Sequence, residues 1–218
     1  MSKPLIVGLG HRKRTGKDLF GEFLCESLKA YGSTADRSSF AWSLKSVCNQ
    51  LYGWAGMRHG DFYELNPSAR DEILAPLGKS PRQVWIEVGN KLRDVYPLTW
   101  IQSVLGDECY ADVLIVRDVR YPNEVDAIRE RGGLLIKIER PDVRHTDDVA
   151  DCALDGFDGW DHVIVNDGPV GRLKERADDL VNGLILPAMD MRQIGIPRKS
   201  VVLNITSGPT HEHRESTR

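Results

Sequence analysis

The 218-residue sequence is defined first by what it lacks. Its four cysteines, Cys25, Cys48, Cys109 and Cys152, stand far apart and form no C-x-x-C pair, which argues against both a zinc site and a disulfide framework. Cys25 and Cys48 fall in predicted helices and are expected as buried thiols. No run of 18 or more apolar residues occurs, so neither a membrane span nor a membrane partner is expected. There is no excess of one charge. The formal net charge is −3, so the whole chain is not a basic nucleic-acid binder, and no direct nucleic-acid contact is expected. The first strand begins almost at once, which leaves no room for a signal peptide and predicts a cytoplasmic protein. There are no internal repeats. The aspartates between Asp142 and Asp161 lack the Asp-x-Asp-x-Asp-Gly order of a calcium loop and read as a solvated acidic loop. The sequon Asn204-Ile205-Thr206 carries no meaning in a cytosolic chain.

What is present is ordinary in bulk: 41% hydrophobic and 28% charged residues, enough for one α/β domain with a substantial core. The informative stretch runs from Leu5 to Phe23. An apolar run, Leu5-Ile6-Val7-Gly8-Leu9, leads into Gly10-His11-Arg12-Lys13-Arg14-Thr15-Gly16-Lys17-Asp18. Apolar residues then recur at Phe20, Phe23, Leu24 and Leu28 with helical spacing. Strand, basic loop and helix make a phosphate-binding layout, in which backbone N–H groups and the helix dipole face an anion. The standard pattern is G-x-x-x-x-G-K-[ST]. Here His11 takes the first glycine position, and Asp18 stands where a hydroxyl normally meets Mg²⁺. Without a ligand, the same stretch reads as a plain basic turn between strand and helix.

Further along, Ser33 to Ser39 is a short polar candidate strand, and Leu44, Val47, Cys48 and Leu51 mark one face of a second helix, with Lys45 on another. Gly53 to Pro67 reads as a loop or an irregular helical segment. Ser80-Pro81-Arg82-Gln83 is a helix start with a capping box and proline in the first turn. Val84, Trp85, Val88 and Leu92 then line a face, with Gly89 set for close approach of another group. Trp100, Ile101, Val104 and Leu105 form a short helical face after Pro97. Val113–Val116, Leu134–Ile138 and His162–Val165 read as strands buried in a parallel sheet. Pro122-Asn123-Glu124 opens a helix ending at Gly132-Gly133, and Pro169 starts a last helix with Leu173, Ala177, Leu180, Val181 and Leu184 inward. Alternating strands and helices predict a mostly parallel sheet covered on both sides. Ligands of such sheets lie beyond the C-terminal strand ends, which places the Gly10–Asp18 loop, Asp118 and Arg120 along one edge.

Four blocks together resemble the phage-type deoxynucleoside monophosphate kinases, an adenylate-kinase-like branch of the P-loop NTPases. They are the strand with Arg14-Thr15-Gly16-Lys17-Asp18; Ser39-Phe40-Ala41 with Leu44-Lys45; Ser80-Pro81-Arg82-Gln83 through Gly89, Arg93 and Trp100; and Asp118-Val119-Arg120-Tyr121-Pro122-Asn123-Glu124 with Gly132-Gly133. Asn166-Asp167-Gly168 also fits. The blocks span residues 5 to about 186. His11 departs from the family's glycine and Leu19 from a frequent threonine, and His145-Thr146-Asp147-Asp148 only loosely resembles the His-x-Ser-Glu segment.

The resemblance implies a three-layer α/β/α P-loop kinase domain over residues 1–187. A helical acceptor-binding insertion would cover about 41–106 and a candidate lid, including Arg140 and Arg144, about 139–160. Residues 188–218 would be a partly flexible extension. It implies ATP and Mg²⁺, with transfer of a phosphoryl group to a deoxynucleoside 5′-monophosphate. The loop residues Arg14, Thr15, Gly16, Lys17, Asp18 and Leu19 would hold the donor, and Lys17 would contact its β- and γ-phosphates. Asp18 and Asp118 are the two candidates for Mg²⁺; the alternatives are a favourable charge at a helix start for Asp18, and a helix-start residue or an arginine partner for Asp118. Arg82, Arg93 and Arg120 would meet the acceptor phosphate, with Lys17, Arg82 and Arg120 acting in catalysis. Phe40, Lys45, Trp85 and Glu124 complete the candidate acceptor site, Phe40 and Trp85 by stacking on a base; helical spacing equally places Trp85 in a core. A P-loop kinase with another acceptor, such as dephospho-coenzyme A or a modified base, remains open. So does a nucleotide-binding module without turnover. A homodimer is compatible with the sequence, and a phage-encoded chain would act in the host cytoplasm.

Overall fold

The computed structural model describes residues 3–106, 109–141, 143 and 152–194. Part of the candidate lid, including Arg144 and His145-Thr146-Asp147-Asp148, and the extension from residue 195 onward lie outside the described residues.

The sheet is built around β1 (Leu5–Gly10), all six residues of which are buried. Burial on both faces is why this strand reads as a continuous apolar run rather than an alternating one. It pairs in parallel with β3 (Val113–Val119) on one side and β4 (Leu134–Glu139) on the other. The outer strands are β2 (Ala35–Ser38), beside β3, and β5 (His162–Val165), beside β4. The order is therefore β2-β3-β1-β4-β5, and every pairing is parallel, where the sequence predicted a mostly parallel sheet.

Alternation along the strands feeds two cores. Leu5, Val7 and Leu9 pack with Ile115, Ile136 and Ile138 against α1 (Lys17–Ala30) and α7 (Val170–Leu180). Ile6 packs with Leu114, Val116 and Leu135 on the opposite face, against α5 (Thr99–Leu105) and α6 (Pro122–Glu130). These are the three layers expected. A third core, of Cys48, Met57, Tyr63, Val84 and Trp85, holds the helical insertion together. That insertion comprises α2 (Phe40–Tyr52), α3 (Gly60–Leu65) and α4 (Pro81–Val95), so the irregular stretch from Gly53 is two short 3-10 turns around α3.

The start of α4 follows its sequence closely. The Gln83 N–H donates to the Ser80 hydroxyl at 3.4 Å, and the Ser80 N–H donates to Gln83 Oε1 at 2.9 Å. Gly89 does bring two groups close: a Cβ there would stand 3.1 Å from Leu44, and its carbonyl accepts the Trp100 indole N–H at 3.2 Å.

The last helix runs further than its sequence suggested. Pro187 has no N–H to donate back to Gly183, and the chain takes a wide π turn at Val181–Ile185 before α8 (Leu186–Gln193). The turn keeps Val181, Leu184, Ile185 and Ala188 all buried. Arg192 then donates to the Pro4 carbonyl at 2.7 Å, tying the end of this helix to the start of β1.

Candidate functional site

Between β1 and α1 the chain folds into a tight loop. His11 and Arg14 take left-handed backbone angles, at φ 84° and 62°. Such angles cost a residue with a Cβ roughly 1–2 kcal/mol each. Gly16, at φ 96°, caps α1 without that cost. Lys17 is the first residue of the helix and is only 6% exposed. Its ammonium bends back into the loop, donating to the Arg12 carbonyl and, at 3.2 Å, to the Thr15 hydroxyl. The first N–H groups of α1 have no acceptor within the helix, which makes this end anion-seeking. Leu19 follows on the first turn, half-buried, and packs against the core.

The loop is braced by residues far away in sequence. The Asp155 carboxylate accepts from Arg12 Nε at 3.0 Å and from His11 Nε2 at 3.1 Å. The paired Arg12 guanidinium holds the Asp155 carboxyl below its ordinary range. Burial, with the Lys137 charge, pulls the His11 imidazole down. The Trp160 ring meets His11 edge-on, centroids 6.4 Å apart, and occupies the space that a side chain on Gly10 would need. At the other end, Asn166 Nδ2 donates to the Thr15 carbonyl at 3.0 Å and would stand 2.6 Å from a Cβ on Gly16.

The neighbouring strand brings up a second group. Gly10 lies opposite Val119 in the sheet, so Asp118 and Arg120 sit beside the loop, as their strand position predicted. Arg120 is half-buried, and its N–H donates to Glu124 Oε2 at 2.7 Å; the Tyr121 N–H donates to the same oxygen at 3.1 Å. Glu124 is 4% exposed. Its carboxyl is pushed up to about 8, chiefly by burial and then by the charge of Asp118. Arg93 reaches across from α4 and lies over the Tyr121 ring, 5.1 Å from its centroid. Glu124 thus feels the charges of both Asp118 and Arg93, and Arg93 covers Tyr121, a residue to which the sequence assigned no role.

Other candidates are placed elsewhere. Arg82 is half-exposed at the start of α4 and is engaged by Asp71, at 2.6 and 3.1 Å. This pair ties the start of α4 to the preceding loop. Trp85 is 8% exposed and packs edge-on against Tyr63 at 5.0 Å, within the insertion's core. Phe40 is 4% exposed and shares a core cluster with Val119, Trp100 and Ile101. Lys45 pairs with Glu64 at 2.6 Å and lies over the Trp85 ring. Asp161 departs from the expected solvated acidic loop, since it accepts the Leu135 N–H at 2.7 Å.

The two carboxylates considered for magnesium differ. Asp118 accepts the Phe40 and Ala41 N–H groups, one on each oxygen, both at 2.8 Å, so both oxygens are turned into the start of α2. Asp18 has a largely exposed side chain beside Lys17 and pairs with Arg117 at 2.9 Å. As a hard, accessible oxygen donor it fits a magnesium ion carried with a nucleotide. Among the described residues no cluster of three or more His, Cys, Asp or Glu side chains forms a metal site by itself.

The residues missed by sequence reasoning are Asp155, Trp160 and Tyr121. Nothing local marks the first two. Asp155 is 144 residues from His11, and no periodicity links them. A cavity of about 510 Å³ lined by Lys3, Tyr110, Asp112 and Arg192, among others, opens at the opposite end of β1 and is separate from the loop.

The chain is similar to a protein of Acanthamoeba polyphaga mimivirus named "Putative deoxynucleotide monophosphate kinase", at 28% identity over 179 residues, 74% of this chain and 88% of that protein. No protein-family model matches. Among solved structures, a sugar kinase of Janibacter sp. HTCC2649 aligns with a TM-score of 0.40 and 13% identity, over 86% of this chain and 98% of its own. A protein named APE1195 aligns with a TM-score of 0.40 and 15% identity, over 85% and 98%. Likeness that slight adds nothing to the reading of the site.

Proposed function

We propose that this protein transfers the γ-phosphoryl group of ATP to a deoxynucleoside 5′-monophosphate. The observation that carries the reading is the buried Lys17 ammonium inside a loop at the end of β1, with Arg93 and Arg120 gathered at the end of the adjacent strand. The similarity to the mimivirus protein supports the choice of acceptor.

Phosphoryl transfer asks the protein for alignment and charge neutralisation more than for covalent chemistry. In this reading the loop amides from Arg14 to Leu19 receive the donor phosphates. Lys17 exchanges its loop oxygens for oxygens of the β- and γ-phosphates. Arg93 and Arg120 hold the acceptor phosphate, since a guanidinium can bind two of its oxygens at once. An acceptor phosphate oxygen then forms a bond to the γ-phosphorus as the bond to the β–γ bridging oxygen breaks, giving ADP and the diphosphate. Magnesium, when bound with ATP, supplies further neutralisation of the phosphate charge, and Asp18 is the residue that would hold it.

The test is ADP formation from ATP and Mg²⁺ with a panel of monophosphates. At least one deoxynucleotide should drive turnover, and Lys17→Ala should reduce it by at least about a hundredfold. ATP binding without any acceptor-dependent ADP would overturn the proposal.

A further inference from the structure

We propose that Asp155 is a positioning residue for the phosphate loop, holding in its left-handed shape a stretch where His11 replaces glycine. A glycine would adopt that backbone freely, whereas His11 and Arg14 both carry side chains at positive φ. Something outside the loop must therefore over-determine it. Asp155 is the group that does so, because a single carboxylate accepts from two consecutive loop side chains, His11 and Arg12.

The brace is itself anchored. Leu154 is 3% exposed, and the Phe157 N–H donates back to its carbonyl at 3.1 Å. Phe157 and Trp160 meet edge-on at 5.0 Å, and the Trp160 indole N–H donates to the Phe157 carbonyl at 2.9 Å. Arg129, from α6, lies over Phe157 at 4.9 Å and donates to the Gly159 carbonyl at 2.6 Å. The carboxylate thus stands on a turn fixed to the sheet's second core. Trp160, on the same turn, closes over Gly10 and His11. The consequence is a loop already shaped for a triphosphate before one arrives, so less ordering is needed on binding.

The role of the loop as a triphosphate site rests on the function proposed above, and the test separates the two. Asp155→Ala, which removes the contacts to both His11 and Arg12, should weaken ATP binding about tenfold, measured by titration calorimetry. Acceptor KM should stay within about twofold, since the acceptor arginines lie on other elements. Amide exchange at residues 11–16 should accelerate without ATP present, while Tm changes little because Asp155 is exposed. Asp155→Asn should fall between wild type and Ala. Adding His11→Gly to Asp155→Ala should recover most of the lost ATP affinity, because glycine needs no brace. Unchanged exchange and unchanged affinity in Asp155→Ala would overturn the inference. Tighter ATP binding would also overturn it, since Asp155 would then be competing with the phosphates. Failure of His11→Gly to rescue counts against it in the same way. If wild type binds ATP yet transfers nothing, the proposed function fails while the brace is still judged by binding and exchange.

Discussion

Glu124 is a buried carboxylic acid, and its environment sets the sign of a pH effect. Its folded-state value of about 8 lies above the ordinary 4.5, chiefly through burial. Below pH 4.5 both the folded and the unfolded chain carry the proton. Between 4.5 and 8 the unfolded chain ionises while the folded chain keeps its proton, so this residue's contribution to stability declines as pH rises through that window. In Glu124→Gln the decline should largely disappear. Thermal melts at pH 5 and pH 8 should show Tm falling by roughly 5 °C more in wild type than in the variant. Equal slopes would mean that Glu124 is ionised in the fold. The sequence placed Glu124 correctly at a helix start but offered no sign of its burial, because burial depends on tertiary packing and not on local spacing. Arg93 and Tyr121 illustrate the same point: each looks like a surface residue until the fold lays the guanidinium over the ring.

At the scale of elements, Asp118 joins a strand to a helix. Its carboxylate accepts the first two amides of α2, groups with no acceptor inside the helix. Ser39 adds a cap, accepting the Trp42 N–H at 2.9 Å. Asp118→Ala should destabilise the protein by about 1–2 kcal/mol, read as a lower urea midpoint with an unchanged slope. Loss of activity without any stability change would instead restore Asp118 as a direct participant in the reaction. Helix starts marked by local chemistry, such as Ser80 with Gln83, were legible from sequence, since all the atoms involved lie within four residues. The grip of Asp118 on α2 spans 78 residues and has no local signature. The long last helix was underestimated for a related reason: a π turn shifts the apolar face by a residue, and a fixed helical period loses track of it there.

For the whole molecule, the parallel sheet and the position of the Gly10–Asp18 loop follow from continuous apolar runs and their order, which is why the architecture was readable in advance. The shape of the site was less so, since it depends on the 152–160 turn, the insertion and the loop meeting at one edge. If that edge takes ATP, the folded state alone binds it, and binding must raise stability. At a hundred times its Kd, ATP adds about 2.7 kcal/mol, or roughly 5–10 °C in Tm for a chain of this size. A melt of Lys17→Ala under the same conditions should show almost no rise, and an equal rise in both proteins would place ATP somewhere other than this loop.

The pairing of Gly10 with Val119 carries one more consequence. The loop proposed to hold the donor leaves from one strand, while Arg120, proposed for the acceptor, and the anchor of α2 leave from its neighbour. Backbone ladder bonds therefore gauge the gap across which a phosphoryl group would travel. Changes in the distant core of the insertion can soften the protein while that separation stays ruled by the sheet.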